Sequence, residues 1–247
     1  KSLGIYTLAR IFCNVIGMPP MVSTILMFLA TLSMVVGGLG AIGQKDFKRL
    51  LAYSTVSQIG YIILGLALGT PLGVLGAMLH LFNHSVFKSL LFLNAGAVEY
   101  ATGTRDLGKL GGLSKNMPVT GFTNAIASMS ISGIPPFNGF WSKLIVILAA
   151  VQAGKYWYAF WGIVASVLTL AAVLKAMRCV FWSAPKEEFK HVKEVPFAMK
   201  AAMLALAAVC VLGGLLLLPR IDALFLKQAS GALLQGTQYA VLVLRKI

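Results

Sequence analysis

PLGVLGAMLHLFNHSVFKSLLFLNAGA, residues 71–97, is the stretch that decides how this chain is read. It is long and apolar enough to span a bilayer, yet it carries His80, His84 and Lys88. The three stand at i, i+4 and i+8. On an α-helix each step of four returns to nearly the same face, with about 6 Å of rise. They form one titratable stripe about 12 Å long inside what should be hydrocarbon. An ionisable group there costs about 3 kcal/mol or more unless it faces protein or water. A stripe of such groups is read first as a functional site.

The surrounding composition agrees with a membrane setting. Of 247 residues, 58% are hydrophobic and only 11% charged, and the mean hydropathy is +0.85. Soluble domains carry about a quarter charged residues. The apolar runs are continuous rather than alternating, which excludes a transmembrane β-barrel. The fold class is an all-α polytopic membrane protein. Net charge is +14, which in this class reflects basic loops on one side of the membrane, not a nucleic-acid partner. Cys13, Cys179 and Cys210 are isolated, without metal or disulfide spacing, and read as small apolar packing residues. The chain starts at Lys, directly in an apolar segment, with no signal-peptide pattern before it. An incomplete start is expected.

Working outward, a spanning helix needs about 20 apolar residues. The first segment is Lys1 to Gly17, closed by Met18-Pro19-Pro20. The second, about Met21 to Gly43, holds Gly37, Gly38, Gly40 and Gly43, which permit close backbone approach. After the basic loop 44–49, a third helix runs from about Leu50 to Gly69. A turn at Thr70-Pro71 leads into the His/His/Lys helix, followed by the longer loop 99–117. The fifth segment, Pro118 to Ala153, is too long for one straight span and is interrupted at Gly133-Ile134-Pro135-Pro136. Neither proline has an N–H, so the carbonyls of Ile131 and Ser132 lose their helical partners. A broken helix is tolerated at membrane depth only in protein or beside water. The sixth helix is about Tyr156 to Val180 and the seventh about Phe197 to Leu218. The tail beyond Pro219 is read as an interfacial helix in preference to an eighth span.

With about seven helices alternating, the loops 44–49, 99–117 and 181–197 fall on one side and hold most of the Lys and Arg. The opposite turns hold only Lys155. The basic side is expected to be cytoplasmic.

The stripe admits proton handling, since histidine titrates near neutrality. It also admits two core histidines and a lysine snorkelling to the interface, although Lys88 lies about two to three helical turns from the nearer loop. His80 and His84 have metal-ligand spacing, but no carboxylate lies near and HExxH is absent, so no metal is expected. Lys143, seven residues after Pro136, is either an interfacial anchor or a hydrated relay at the break. Ser54, Thr55, Ser57 and Gln58 either bond between helices or line a water path. No nucleotide, nucleophile or cofactor motif is present, so neither catalysis nor a cofactor is assigned to this chain.

Three blocks carry a resemblance. DFKRLLAYSTVSQIGYIILGLAL (46–68), HLFNHSVFKSLLFLNAG (80–96) and GIPPFNGFWSK (133–143) resemble the antiporter-like subunits of respiratory complex I, Mrp-type Na+/H+ antiporters and membrane-bound hydrogenases. The resemblance covers residues 1–218 and implies the second half of an inverted-repeat fold. That half comprises the helix before the second repeat, the five-helix repeat with its broken helix, and the helix after it, with 219–247 as an interfacial or additional helix. It implies that Lys1 is the lysine between repeats and that His80, His84 and Lys88 carry protons along the mid-membrane axis. Lys143 is then the broken-helix lysine, with Gly133, Pro135 and Pro136 making the break. The implied function is translocation of H+, with coupling to Na+ left open, inside a multisubunit redox pump or antiporter in an energy-transducing membrane. The implied partners are other membrane subunits. The first repeat is absent, so it belongs to a longer chain or, if the gene is split, to a partner. A non-conducting half-module bridging other subunits is the alternative.

Overall fold

The computed structural model describes residues 2–15, 17–214, 231 and 233. Its elements are α1 (Ser2–Ala9) with a π-helical turn (Arg10–Val15), α2 (Pro20–Gly43), α3 (Phe47–Ala67), α4 (Pro71–Thr102), α5 (Pro118–Ser132), α6 (Asn138–Gln152), α7 (Tyr156–Met177) with a π-helical turn (Arg178–Trp182), and α8 (Phe197–Leu212). With α5 and α6 as halves of one crossing, the described helices make seven. The expected tail 219–247 lies outside the described residues, apart from Gly231 and Leu233.

Local chemistry sets the boundaries. Pro20 opens α2, and Asp46 caps α3 by accepting from the Arg49 amide at 2.9 Å. Thr70 caps α4, accepting from the Gly73 amide at 3.1 Å, with Pro71 in the first turn. Gly103 closes α4 at φ +71°. This helix is 32 residues long and ends at Thr102, deeper into the 99–117 loop than expected. Glu99 therefore stands on a helix, paired with Lys48 at the surface.

Among the described residues, three helices are both long and apolar enough to cross a membrane: Pro20–Gly43, Phe47–Ala67 and Tyr156–Trp182. The expectation that residues 71–97 are long and apolar enough to span a bilayer is met in length but not in hydropathy. Helix α4 has the length, but its His, Asn and Lys residues leave it outside that group. Those polar residues are buried, so protein contacts, rather than lipid, solvate them.

The bundle is apolar outside, and its apolar core encloses a set of buried polar side chains. Phe28, Leu32 and Val36 of α2 and Phe160, Ile163 and Val167 of α7 are exposed, as a lipid-facing surface requires. Helices α2 and α3 meet backbone to backbone: a Cβ at Gly37 would stand 2.6 Å from the Ser57 amide, and one at Gly60 2.6 Å from the Ala30 carbonyl. That closeness is the small-residue packing of membrane helices.

The three basic loops meet at one end. The Phe47 amide donates to the Arg105 carbonyl at 2.9 Å, and the Leu113 amide to the Val180 carbonyl at 3.1 Å. Lys175 Nζ caps the far end of α2 on the carbonyls of Ile42 (2.7 Å) and Gln44 (2.9 Å). Arg105 pairs with Asp46 at 2.6 Å.

Candidate functional site

The site is built on the break. Helix α5 stops at Ser132, Gly133 turns away at φ +79°, and α6 resumes at Asn138. The positive φ favours glycine, and the Pro135–Pro136 bond is cis. The two carbonyls that the prolines deprive of donors are both occupied. Lys143 Nζ, one turn and a half into α6, donates to the Ile131 carbonyl at 2.8 Å and to the Ser132 carbonyl at 3.4 Å. The missing backbone N–H groups are thus replaced by an amine that is 3% exposed. Lys143 is therefore no interfacial anchor.

Asn138 ties the break to its neighbours. Ser130 Oγ donates to Asn138 Oδ1, and Asn83 Nδ2 of α4 donates to the Asn138 carbonyl at 2.9 Å. A Cβ at Gly139 would collide with the Ser130 carbonyl, so the two half-helices overlap closely.

The α4 stripe runs toward this point. Lys88 is 5% exposed and donates to the Leu51 carbonyl at 2.7 Å and to Ser54 Oγ at 2.6 Å. That anchorage inside the bundle rules out snorkelling. His84 is 7% exposed and edge-on to Phe87 at 5.6 Å. His80 is fully buried, and its Nδ1 bonds Ser142 Oγ at 2.9 Å. Ser142 immediately precedes Lys143.

Tyr61 of α3 joins the stripe to the break, and nothing in the sequence singles it out. Its ring lies 5.5 Å from the His80 ring, and Lys143 Nζ sits over its face at 4.8 Å from the centroid. Its hydroxyl bonds the Gly162 carbonyl and, at 2.7 Å, Ser166 Oγ, both on α7. The ring is held from behind while it receives the cation in front. His80, His84, Lys88 and Lys143 therefore share one buried interior, spread over α4 and α6.

Of the two roles the sequence left open for the polar part of α3, interhelical bonding is seen directly. Ser54 holds Lys88, Ser57 Oγ bonds the Met34 carbonyl at 2.9 Å, and Gln58 Nε2 bonds Thr169 Oγ1 at 3.3 Å. Among the described residues, His80 Nε2, Gln58 Oε1, Asn83 Oδ1 and Asn138 Nδ2 are buried without a protein partner. Buried polar atoms are almost always satisfied, by water where protein does not reach. The surround of the stripe is therefore suited to hydration. Lys1 lies outside the described residues. No group of three or more potential metal ligands occurs among the described residues.

Residues 1–169 match the family model for the transmembrane domain of the NADH:quinone oxidoreductase/Mrp antiporter proteins. The chain belongs to this family. It is 40% identical over 194 residues to a Na(+)/H(+) antiporter subunit of Alkalihalophilus pseudofirmus, covering 78% of this chain and 38% of that protein. It is 34% identical over 246 residues to formate hydrogenlyase subunit 3 of Escherichia coli, covering 90% of this chain and 40% of that protein. Among solved structures, a chain of the Mrp complex from Dietzia sp. DQ12-45-1b superposes with a TM-score of 0.87 at 30% identity, covering 96% of this chain and 52% of that one. The chain spans about two-fifths of the length of these two curated relatives.

Proposed function

We propose that this chain is the proton-conducting part of a membrane subunit in a multisubunit ion pump or antiporter. Protons pass along Lys88, His84, His80 and Lys143, with Lys1, by the family resemblance, as the lysine between the two repeats. The observation that carries this reading is the seat of Lys143. A buried amine replaces two absent backbone donors, faces Tyr61, and adjoins His80 through Ser142.

The mechanism is electrostatic. A change of charge at one member of the row alters the proton affinity of the next. A proton leaves an ammonium or imidazolium and is taken up by the neighbouring base, with water bridging atoms such as His80 Nε2. The break carbonyls stabilise Lys143 when it is charged. When it is neutral, its remaining N–H bonds to them lose their charge assistance, so the amine is held more weakly and can turn toward the row. The same arrangement serves H+ alone or H+ exchanged for Na+. The membrane partners are the other subunits of the complex, one of which supplies the first repeat if this chain does not. The basic loops face the cytoplasm.

A scaffold reading has one observation in its favour: Lys88 and Lys143 both find acceptors within the protein itself. The test is Lys88→Ala and Lys143→Ala in the assembled complex, in inverted vesicles with a pH-sensitive dye. Transport lost in both, with assembly intact, supports conduction. Undiminished transport in both leaves the scaffold.

A further inference from the structure

A cavity of about 160 Å³ opens at the basic-loop end, between the loop that joins α4 to α5 and the loop that joins α7 to α8. Gly111, Gly112 and Lys115 line it from the first loop, and Lys186 and Lys190 from the second. No carboxylate is among its lining residues. The two loops are bound together around it. Asn116 Nδ2 donates to the Phe189 carbonyl at 2.8 Å and to the Lys190 carbonyl at 3.2 Å. Only glycine fits where they touch. A Cβ at Gly111 would stand 2.8 Å from the Ala184 carbonyl oxygen, and one at Gly112, where φ is +65°, 2.4 Å from Pro185 Cα. Packed backbone therefore sets the walls.

Two features of the lining call for an anion. The first is the glycine pair. Both residues are buried, and among the described residues neither amide donates to a protein acceptor. Buried amides are almost always paired, so these two are left for water or a ligand in the cavity. The second is the set of amines. Lys186 Nζ donates to the Gly108 carbonyl at 2.7 Å, which uses one of its three N–H groups. Lys190 pairs with Glu187 at 2.6 Å, and Lys115 has no ion pair among the described residues. Main-chain amides beside ammonium groups are the donors that phosphate oxygens take.

Depth narrows the choice further. The Leu113 and Ser114 amides bond the carbonyls of Val180 (3.1 Å) and Phe181 (3.4 Å), next to Trp182. Trp182 ends an apolar span and is 57% exposed. Tryptophan so placed marks the level of lipid headgroups.

We infer that this cavity binds a phosphate group at headgroup depth, held by the Gly111 and Gly112 amides and by Lys115, Lys186 and Lys190. An anionic phospholipid presents such a group there, and basic pockets at this level suit it. Free phosphate offers the same oxygens. The bound group ties the loop before α5 to the loop before α8. The inference is separate from the proton row, since His80, His84, Lys88 and Lys143 do not line the cavity.

The test is amine footprinting of the assembled complex, delipidated in a neutral maltoside detergent. A water-soluble acylating reagent is applied in detergent alone, with added phosphatidylglycerol, or with inorganic phosphate, and the modified lysines are identified by peptide mass. Lys115, Lys186 and Lys190 are expected to react about tenfold more slowly with ligand at about ten times its Kd. Lys109, exposed on the same loop and outside the cavity, is expected to keep its rate. Protection by phosphatidylglycerol alone supports the site and makes its ligand a lipid. Protection by inorganic phosphate as well supports the site and makes its ligand any phosphate. In Lys115→Gln the protection of Lys186 is expected to fall to about twofold, as the loss of one charged hydrogen bond implies. Protection of Lys186 that is unchanged in that variant overturns the site. So does equal slowing of Lys109, which would show a diffuse charge effect, or equal rates in all three conditions. Lysines unreactive in every condition, covered by another subunit, overturn it too.

Discussion

Lys88 and Lys143 are both buried amines held by main-chain oxygen, but the two helices that hold them provide that oxygen differently. Helix α3 stays regular, and its Leu51 carbonyl is shared: Ser54 and Thr55 hydroxyls reach it at 3.0 Å each, and Lys88 at 2.7 Å. Helix α5 ends, and prolines leave the Ile131 and Ser132 carbonyls for Lys143. A shared acceptor on an intact helix fixes a lysine among competitors. Vacated carbonyls at a break form a seat whose occupancy depends on the lysine itself. The difference assigns Lys88 the steadier position and Lys143 the one able to alternate.

The largest effect is expected from restoring the helix at the break. The double substitution Pro135→Ala, Pro136→Ala returns N–H groups able to bond Ile131 and Ser132. Lys143 then loses its monopoly, and transport in vesicles should fall about tenfold or more. An unchanged rate would show that the freed carbonyls do not matter. Next comes the ring that joins the two regions. Tyr61→Leu removes the aromatic face under Lys143 and should destabilise the complex by about 2 kcal/mol or more. Tyr61→Phe keeps the face, loses the bonds to α7, and should cost about 1 kcal/mol with transport largely retained. Thermal unfolding in detergent, run beside the transport assay, separates the two variants.

Gly133→Ala is expected to be milder than Tyr61→Leu, about 1–2 kcal/mol. It forces a Cβ into φ +79° and to 2.9 Å from Lys143 Cδ, so transport should drop more than stability does. Smallest is Ser54→Ala, which takes the Ser54 hydroxyl from Lys88 and should lower stability by about 1 kcal/mol at most. The regular α3 carbonyl remains, and transport should stay near normal. A large loss in Ser54→Ala with little in Gly133→Ala would reverse the ranking of the two seats.

Much of this is legible in the sequence. Apolar run length marks the helices, Pro135 and Pro136 mark the break, and the missing N–H groups name the Ile131 and Ser132 carbonyls without naming the donor that reaches them. The loop charges group three loops that do meet. What is not legible depends on which helices touch. Tyr61 is a lone aromatic in an apolar run and reads as core until His80 and Lys143 are found against it. Asn83 and Asn138 become a pair only when α4 crosses the break. The run length of α4 reads as a full span, and the sum of its polar residues takes its hydropathy below that of α2, α3 and α7.

The central claim is that a wet row of protonatable side chains crosses the buried middle of the bundle. The most direct measurement is a map of ordered water around His80 in the assembled complex, by electron cryomicroscopy at a resolution that shows single waters. The account predicts water within hydrogen-bond distance of His80 Nε2, linked onward to Asn83 Oδ1 or Asn138 Nδ2. Apolar side chains sealed against all three atoms, with no water between His80 and Lys143, would contradict it.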